Sequence, residues 1–428
     1  MVGHSRRPVL ALCAVLALVS LFAAPASAEP ETGVGYAAYG PAVEGGGSLA
    51  QAPTLTPGTY SDTLERGDTS EDDSGSDGTT RFYRVSLQEG ERLHAAATLI
   101  APRYPTGIPE EPPSASLSLD VLTASGASCL SGSTSEVGQP DSGSGPVTVS
   151  GYTQEVGEDC AGPDLFVSVQ RVGSRAADQP LPIELQLAVE KAGAITGEPV
   201  LEEAQDSTAA SPTAPVSDEP LAAGRSWAAS TPVEEGSYVL ELVPGQVTAV
   251  RLPVGIDQSL RWRMEAISDV PEDGGEVVLR VTNPVREPVS VDGGGWSFSE
   301  RGEVTGGSMA APVSPGNRSS TWAQISEVWL PGDYGVMVER PQLAQEAPEE
   351  AQAPIRLILT VQTHGEAGEE SDPATYVDLG EAHFGASGNG ASLLGGPWPR
   401  RLALGGAGIA LSVCLVTGIS GLVLLRRR

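Results

Sequence analysis

Arg81-Phe82-Tyr83-Arg84-Val85-Ser86-Leu87-Gln88-Glu89-Gly90-Glu91-Arg92-Leu93 is the stretch whose pattern decides the fold. Val85 and Leu87 alternate with polar residues, Glu89-Gly90 reads as a turn, and Leu93, Ala95, Ala97 and Leu99 resume the alternation beyond it. Apolar residues at every second position mark a strand with one buried face. The stretch therefore predicts two strands joined by a tight connection.

The same period appears along the chain: Leu117/Leu119/Val121, Val167/Val169, Ile183/Leu185/Leu187, Val277/Leu279/Val281, Val289/Val291, Val336/Val338 and Ile355/Leu357/Leu359. Gly-, Pro-, Ser- and Asp-rich runs separate these segments, and none carries the period of a long amphipathic helix. Short alternating strands with such punctuation predict an all-β chain of antiparallel sandwiches of the jelly-roll or immunoglobulin-like kind.

The strands come in two sets. Arg84-Val85-Ser86-Leu87, with Leu93 beyond it, recurs as Arg251-Leu252-Pro253-Val254 with Leu260, an offset of 167. The run from Asp164 to Arg171 recurs from Asp333 to Arg340 at 169, and Pro182 to Val189 recurs from Pro354 to Val361 at 172. Gly58-Thr59-Tyr60 matches Gly236-Ser237-Tyr238 at 178, the excess being about the size of the acidic run Thr69 to Thr79. Order is kept while the offsets drift, which is how a duplicated domain reads. The expected tandem comprises sandwich domains at 53–191 and 229–363, each long enough to bury its own core.

Arg81 to Leu93, followed by a middle strand and then by Leu330-Pro331-Gly332-Asp333-Tyr334-Gly335-Val336-Met337-Val338-Glu339-Arg340, resembles the bacterial pre-peptidase C-terminal domain. The resemblance implies a small β-sandwich with an accessory rather than catalytic role in secreted hydrolases and surface proteins. The first copy departs from the family at Asp164 and Phe166, and both copies carry one further strand.

The chain ends predict its destination. Arg6 and Arg7, an apolar run from Val9 to Ala24 and Ala26-Ser27-Ala28 form a secretory signal peptide, 1–28. Leu402 to Leu425 carries no charge and at ~1.5 Å per residue covers about 36 Å, enough for a hydrocarbon core of ~30 Å. Arg426, Arg427 and Arg428 would stay in the cytoplasm. The expectation is a single-pass type I protein of the cell membrane, its ectodomain extracellular and its membrane contact made by one C-terminal helix. Wall attachment by a sortase uses similar ends, but Ser392 to Pro399 lacks an L-P-x-T-G-like motif. Segments 29–52, 192–228 and 364–401 read as a disordered N-terminal stretch, a flexible Ala/Pro/Ser-rich linker and a Gly-rich acidic stalk.

Removing Arg6, Arg7, Arg400, Arg401, Arg426, Arg427 and Arg428 from the 25 basic residues leaves 18 against 55 acids, a formal ectodomain charge of −37. Such a surface excludes nucleic acid as a partner and reads first as a solvation device. Lys191 is the one lysine, and with abundant Ala, Gly and Pro it suggests GC-rich coding, as in actinobacteria.

Cys129 and Cys160, the cysteines left once Cys13 goes with the signal and Cys414 falls in the helix, predict a disulfide. Asp68, Asp72, Asp73 and Asp77 lie in an acidic Gly/Ser run that reads as a solvated insert or as a Ca²⁺ loop, though the EF-hand order fails. No other cofactor is expected. Trp262, Trp296, Trp322 and Trp329 read as core or as a sugar- or peptide-binding platform. Gly406, Ala410, Cys414 and Gly418 recur every four residues and offer a small ridge for helix self-association.

His94 aligns with Arg261 and so reads as solvent-facing, while His364 and His383 fall in the stalk. No pattern for a metal centre, nucleophile elbow or phosphate loop is present. The expected function is therefore non-catalytic: a surface protein presenting two binding modules to an exported or envelope protein partner. The alternatives are an accessory subunit of an exported hydrolase and a structural envelope protein.

Overall fold

The computed structural model describes residues 34–67, 78–131, 135–137, 145–157, 160, 162–195, 197–291, 295–369 and 371–380. The signal segment, the acidic run with Asp68, Asp72, Asp73 and Asp77, and the proposed membrane helix with Gly406, Ala410, Cys414 and Gly418 lie outside them. No helix among the described residues is long and apolar enough to cross a membrane.

Twenty strands form among the described residues, and the segments that the alternation marks are found among them in chain order. The first nine are β1 (Gly58–Leu64), β2 (Thr80–Ser86), β3 (Arg92–Leu99), β4 (Ser116–Thr123), β5 (Leu130–Ser131), β6 (Ser135–Val137), β7 (Val147–Thr153), β8 (Asp164–Val172) and β9 (Leu181–Glu190). Then come β10 (Thr231–Pro232), β11 (Gly236–Leu242), β12 (Gln246–Val254), β13 (Ser259–Ala266), β14 (Glu276–Thr282) and β15 (Pro288–Val289). β16 (Gly295–Ser297), β17 (Val304–Ser308), β18 (Gly332–Arg340), β19 (Ile355–His364) and β20 (Val377–Asp378) complete the set.

The first sandwich packs sheet β1-β9-β3-β7-β5 on sheet β2-β8-β4-β6; the second packs β11-β19-β13-β17 on β10-β12-β18-β14-β15, with β16 also on β14. The first four strands of each leading sheet correspond one to one, and so do β2-β8-β4 and β12-β18-β14. Every strand pair is antiparallel except β10 with β12. The duplication is thus visible in strand order as well as in sequence. It also refines the alignment of the last strand. Gly58 pairs Leu187 and Gly236 pairs Val361, so Val361, two residues beyond Leu359, is the equivalent of Leu187. A slip of two keeps every side chain on its own face, which is why the sequence match could conceal it.

The cores form as the pattern dictates. In β4, Leu117, Leu119 and Val121 are fully buried while the residues between them are half-exposed. These join Leu93, Leu99, Val167, Ile183 and Leu185 in one core; Leu260, Met264, Leu279, Val336 and Leu359 are among the second.

β9 breaks the rule. Its sequence alternates Ile183, Glu184, Leu185, Gln186, Leu187, Ala188, Val189 and Glu190, yet both faces are buried. The outward face carries the second sandwich. Ala188 packs with Val285, Trp329, Leu330, Tyr376 and Val377, and the Gln186 amide donates to Pro284 O at 3.1 Å.

The described parts of three segments expected to be loose are packed instead. Residues from Gly35 to Ala52 run along the first sandwich, with Val43 N–H bonded to Ser61 O and Gly46 paired with Phe82. The supposed hinge lies along the second, with Ala210 N–H on Trp262 O, Val216 on Ser237 and Leu221 on Val239. Leu201, Leu221 and Ala223 cover its core. Ser371 to Gly380 turns back to the first sandwich, where β20 pairs with β9. The common cause is unpaired sheet edges and apolar sheet faces, which backbone of almost any composition can cover.

Candidate ligand-binding cleft at the sandwich junction

Two buried charge clusters join the sandwiches. In the first, His94 of β3 lies between two carboxylates: Nε2 is 2.9 Å from Glu190 of β9, and Nδ1 is 3.4 Å from Glu287 in the β14–β15 turn. Its ring stacks between Tyr152 and Trp329. The Arg318 guanidinium lies against the same two rings, 3.8 Å from the Tyr152 centroid and 4.7 Å from that of Trp329, near both glutamates. Trp329 Nε1–H donates to Glu287 at 2.8 Å, and Arg92 bridges Glu190 to Glu155.

Burial by itself would raise both acids. The hydrogen bond and charge of His94, with Arg318, overcome it, lowering Glu190 and bringing Glu287 down to about 2. Unpaired, an ionised carboxylate at this depth would cost several kcal/mol.

The expectation of a solvent-facing His94 is therefore overturned: only 2% of the residue is exposed. Arg261, its counterpart, sits half-exposed on a face that has no second sandwich against it. Nε2 of His94 is bonded to Glu190 and Nδ1 faces Glu287 across the junction, so this histidine serves the contact between the sandwiches.

In the second cluster Glu184, fully buried, accepts from Tyr36 Oη at 2.8 Å, Tyr39 N at 2.9 Å, Ala228 N at 3.2 Å and Arg286 Nη1. Burial, then the Glu184 charge, pushes the Tyr36 hydroxyl well above its ordinary range. Arg286 adopts a φ of 63°, a left-handed backbone costly for a residue with a side chain. Its ion pair with Glu184 offsets that cost.

Beside these clusters lies a cleft of about 660 Å³ built by both sandwiches and by the returning segment. β1 and β9 contribute Thr59 and Gln186; β12 and β18 contribute Arg251, Pro253, Asp333 and Gly335; the return contributes Pro373, Ala374 and Leu379. Trp227 forms part of the wall against β18 because position 335 is glycine: a Cβ there would lie 2.9 Å from the Trp227 ring. Pockets of this size between domains are the usual place for small ligands. A second, more polar cavity of about 750 Å³ opens over the first cluster, lined by Arg92, Tyr152, Glu155, Glu190 and Arg318 among others.

Cys129 and Cys160 form the expected disulfide within the first core. The four tryptophans do not share a face. Trp262 is in the second core, its ring 4.7 Å from that of Trp296; Trp329 is in the junction; Trp322 is exposed. Asn317, the acceptor of a formal glycosylation sequon, is fully buried, its amide bonded to Pro312 O and Val328 O. Among the described residues no three His, Cys, Asp or Glu side chains gather as metal ligands. The sequence reading missed Glu184, Glu190, Arg286, Glu287 and Arg318. Its one available signal was the polar face of β9 with an Arg-Glu pair in a turn of the other copy, and alternation alone assigns such a face to water.

No family model matches the chain. No curated protein matches it either. Among solved structures, the N-terminal tandem of CBM22 domains of Paenibacillus barcinonensis Xyn10C is 10% identical over 75% of this chain and 95% of its own, with a TM-score of 0.19. The ANXUR2 extracellular domain of Arabidopsis thaliana is 10% identical over 74% and 92%, also at 0.19. At these TM-scores the likeness carries no functional inference.

Proposed function

We propose that this chain is the ectodomain-bearing part of a non-catalytic cell-surface binding protein. On this reading its two sandwiches, similar to pre-peptidase C-terminal domains, act as one rigid binding body held outside the cell by the helix at 402–425. The observation that carries it is the cleft of about 660 Å³ walled jointly by both sandwiches. Buried ion pairs across the junction hold its walls in one orientation, and a rigid site loses less entropy on binding. The disulfide fits an oxidising, exported setting.

The test is crosslinking of the tagged protein on intact cells, followed by mass spectrometry of what is captured. One dominant exported or membrane partner supports the reading, and if that partner is a hydrolase it specifies the accessory role. Recovery of peptidoglycan fragments alone overturns it in favour of an envelope-structural role.

A further inference from the structure

We propose that the junction cleft receives a carboxylate carried on an apolar body, with Lys191 as its counter-ion. The inference rests on the binding reading above and names the ligand chemistry of that site.

Three cations line the cleft. Arg286 is paired with Glu184, and Arg251 lies 3.2 Å from Asp333. Lys191 is different: its ammonium donates to the backbone oxygen of Ala374, and no carboxylate pairs with it among the described residues. It is exposed, and it is the only lysine of a chain with 55 acidic residues. Asp378, the remaining acid of the cleft besides Asp333, accepts from Gly380 N instead. One unneutralised positive charge matches one negative charge on a ligand, and a carboxylate meets a lysine ammonium as a compact ion pair.

The rest of the wall is carbon-rich. Trp227, Pro253, Pro284, Pro373, Val377 and Leu379 suit an apolar group beside the carboxylate. A free peptide C-terminus and a simple organic acid share the carboxylate, and only the first carries an amide beside it.

With one lysine in the chain, an amine-reactive reagent labels Lys191 and the N-terminus alone, and peptide mass spectrometry separates the two. The full chain in detergent is labelled in the presence of the tripeptide Ala-Val-Leu, its C-terminal amide, or hexanoate. At about ten times its Kd the tripeptide acid is expected to slow Lys191 labelling about tenfold, with the N-terminus unaffected. Protection by the tripeptide acid alone identifies a peptide terminus, and protection by hexanoate as well identifies carboxylates in general. Equal protection by acid and amide, or none by either acid, overturns the proposal.

Lys191→Gln, at an exposed position, should keep the thermal midpoint and weaken tripeptide binding at least about tenfold, the loss of one charged hydrogen bond. The same variant in the cell-surface crosslinking separates the two readings. A partner retained by Lys191→Gln, with no protection in vitro, refutes the carboxylate site and leaves the binding reading standing. No partner even for the wild type refutes the binding reading.

Discussion

Arg171 and Arg340 occupy the same place in the two sandwiches, each at or near the end of an interior strand of its sheet, fully buried and without an acidic partner among the described residues. Arg171 donates to the carbonyls of Leu64, Arg175, Ala176 and Gln179; Arg340 donates to those of Leu242, Gly274, Ala351 and Ala353. Leu64 and Leu242 are the last residues of equivalent first strands. Each guanidinium ties that strand to a loop that would otherwise leave its carbonyls unsatisfied. Burial lowers each arginine to about 10, so both remain charged at neutral pH.

Replacing either arginine by methionine keeps much of the volume and takes the guanidinium donors from four carbonyls, of which Ala176 O alone keeps a turn partner, the Gln179 N–H. Buried groups without partners cost about 1–3 kcal/mol each, partly recovered by water entry, so a loss of roughly 3 kcal/mol or more is expected. Urea unfolding should place the loss for Arg171→Met in the first sandwich, followed by near-ultraviolet signals around Tyr83, and for Arg340→Met in the second, around Trp262.

Glu287 makes the junction acid-sensitive. Its folded carboxyl sits at about 2 against an ordinary 4.5. A carboxyl lowered on folding stabilises fully above 4.5, and the contribution disappears as pH falls towards 2. At about 1.4 kcal/mol per unit, some 3 kcal/mol is at stake. Glu287→Gln should lower stability at pH 6 by about this amount and flatten the dependence between pH 4.5 and 2. An unchanged slope in the variant would refute the assignment.

Arg286→Gly tests the strained turn against the ion pair. Glycine accepts the positive φ, which favours the variant, but Glu184 is left charged and buried. The second effect is the larger, about 3–5 kcal/mol for an orphaned buried charge. Combining Arg286→Gly with Glu184→Gln should recover more than about 1 kcal/mol, and urea midpoints of the four proteins give the coupling.

The disulfide closes a loop with a sequence separation of 31. Chain-entropy reasoning puts its contribution at roughly 3–4 kcal/mol. Cys129→Ala/Cys160→Ala should therefore lower the unfolding free energy by about this amount, seen in calorimetry as a lower thermal midpoint.

The duplication and the all-β class were legible because they depend on a period of two and on turn residues, both local properties. Leu117, Leu119 and Val121 face inward in any sandwich that this alternation can make. The pairing of Cys129 with Cys160 followed from counting. The junction was not legible. Glu184, Gln186 and Glu190 look like solvent-facing positions of an ordinary strand, and in an isolated sandwich they would be. The match of Arg84 and Leu93 to Arg251 and Leu260 made His94 the partner of Arg261 and so suggested water around it. Duplicated positions keep their fold but not their neighbours.

The sequence by itself determined which residues form strands, which face of each is apolar, and that one sandwich is followed by a second of the same plan. Hydrophobic burial acts on that alternation wherever the chain places it. Only the tertiary structure decided that the two sandwiches meet, that a charged strand face becomes an interior, and that a cleft opens beside it. Those outcomes depend on pairing a glutamate of one domain with an arginine about a hundred residues away in the other. A buried charge tolerates its surroundings only when such a partner arrives, and no local pattern announces that it will.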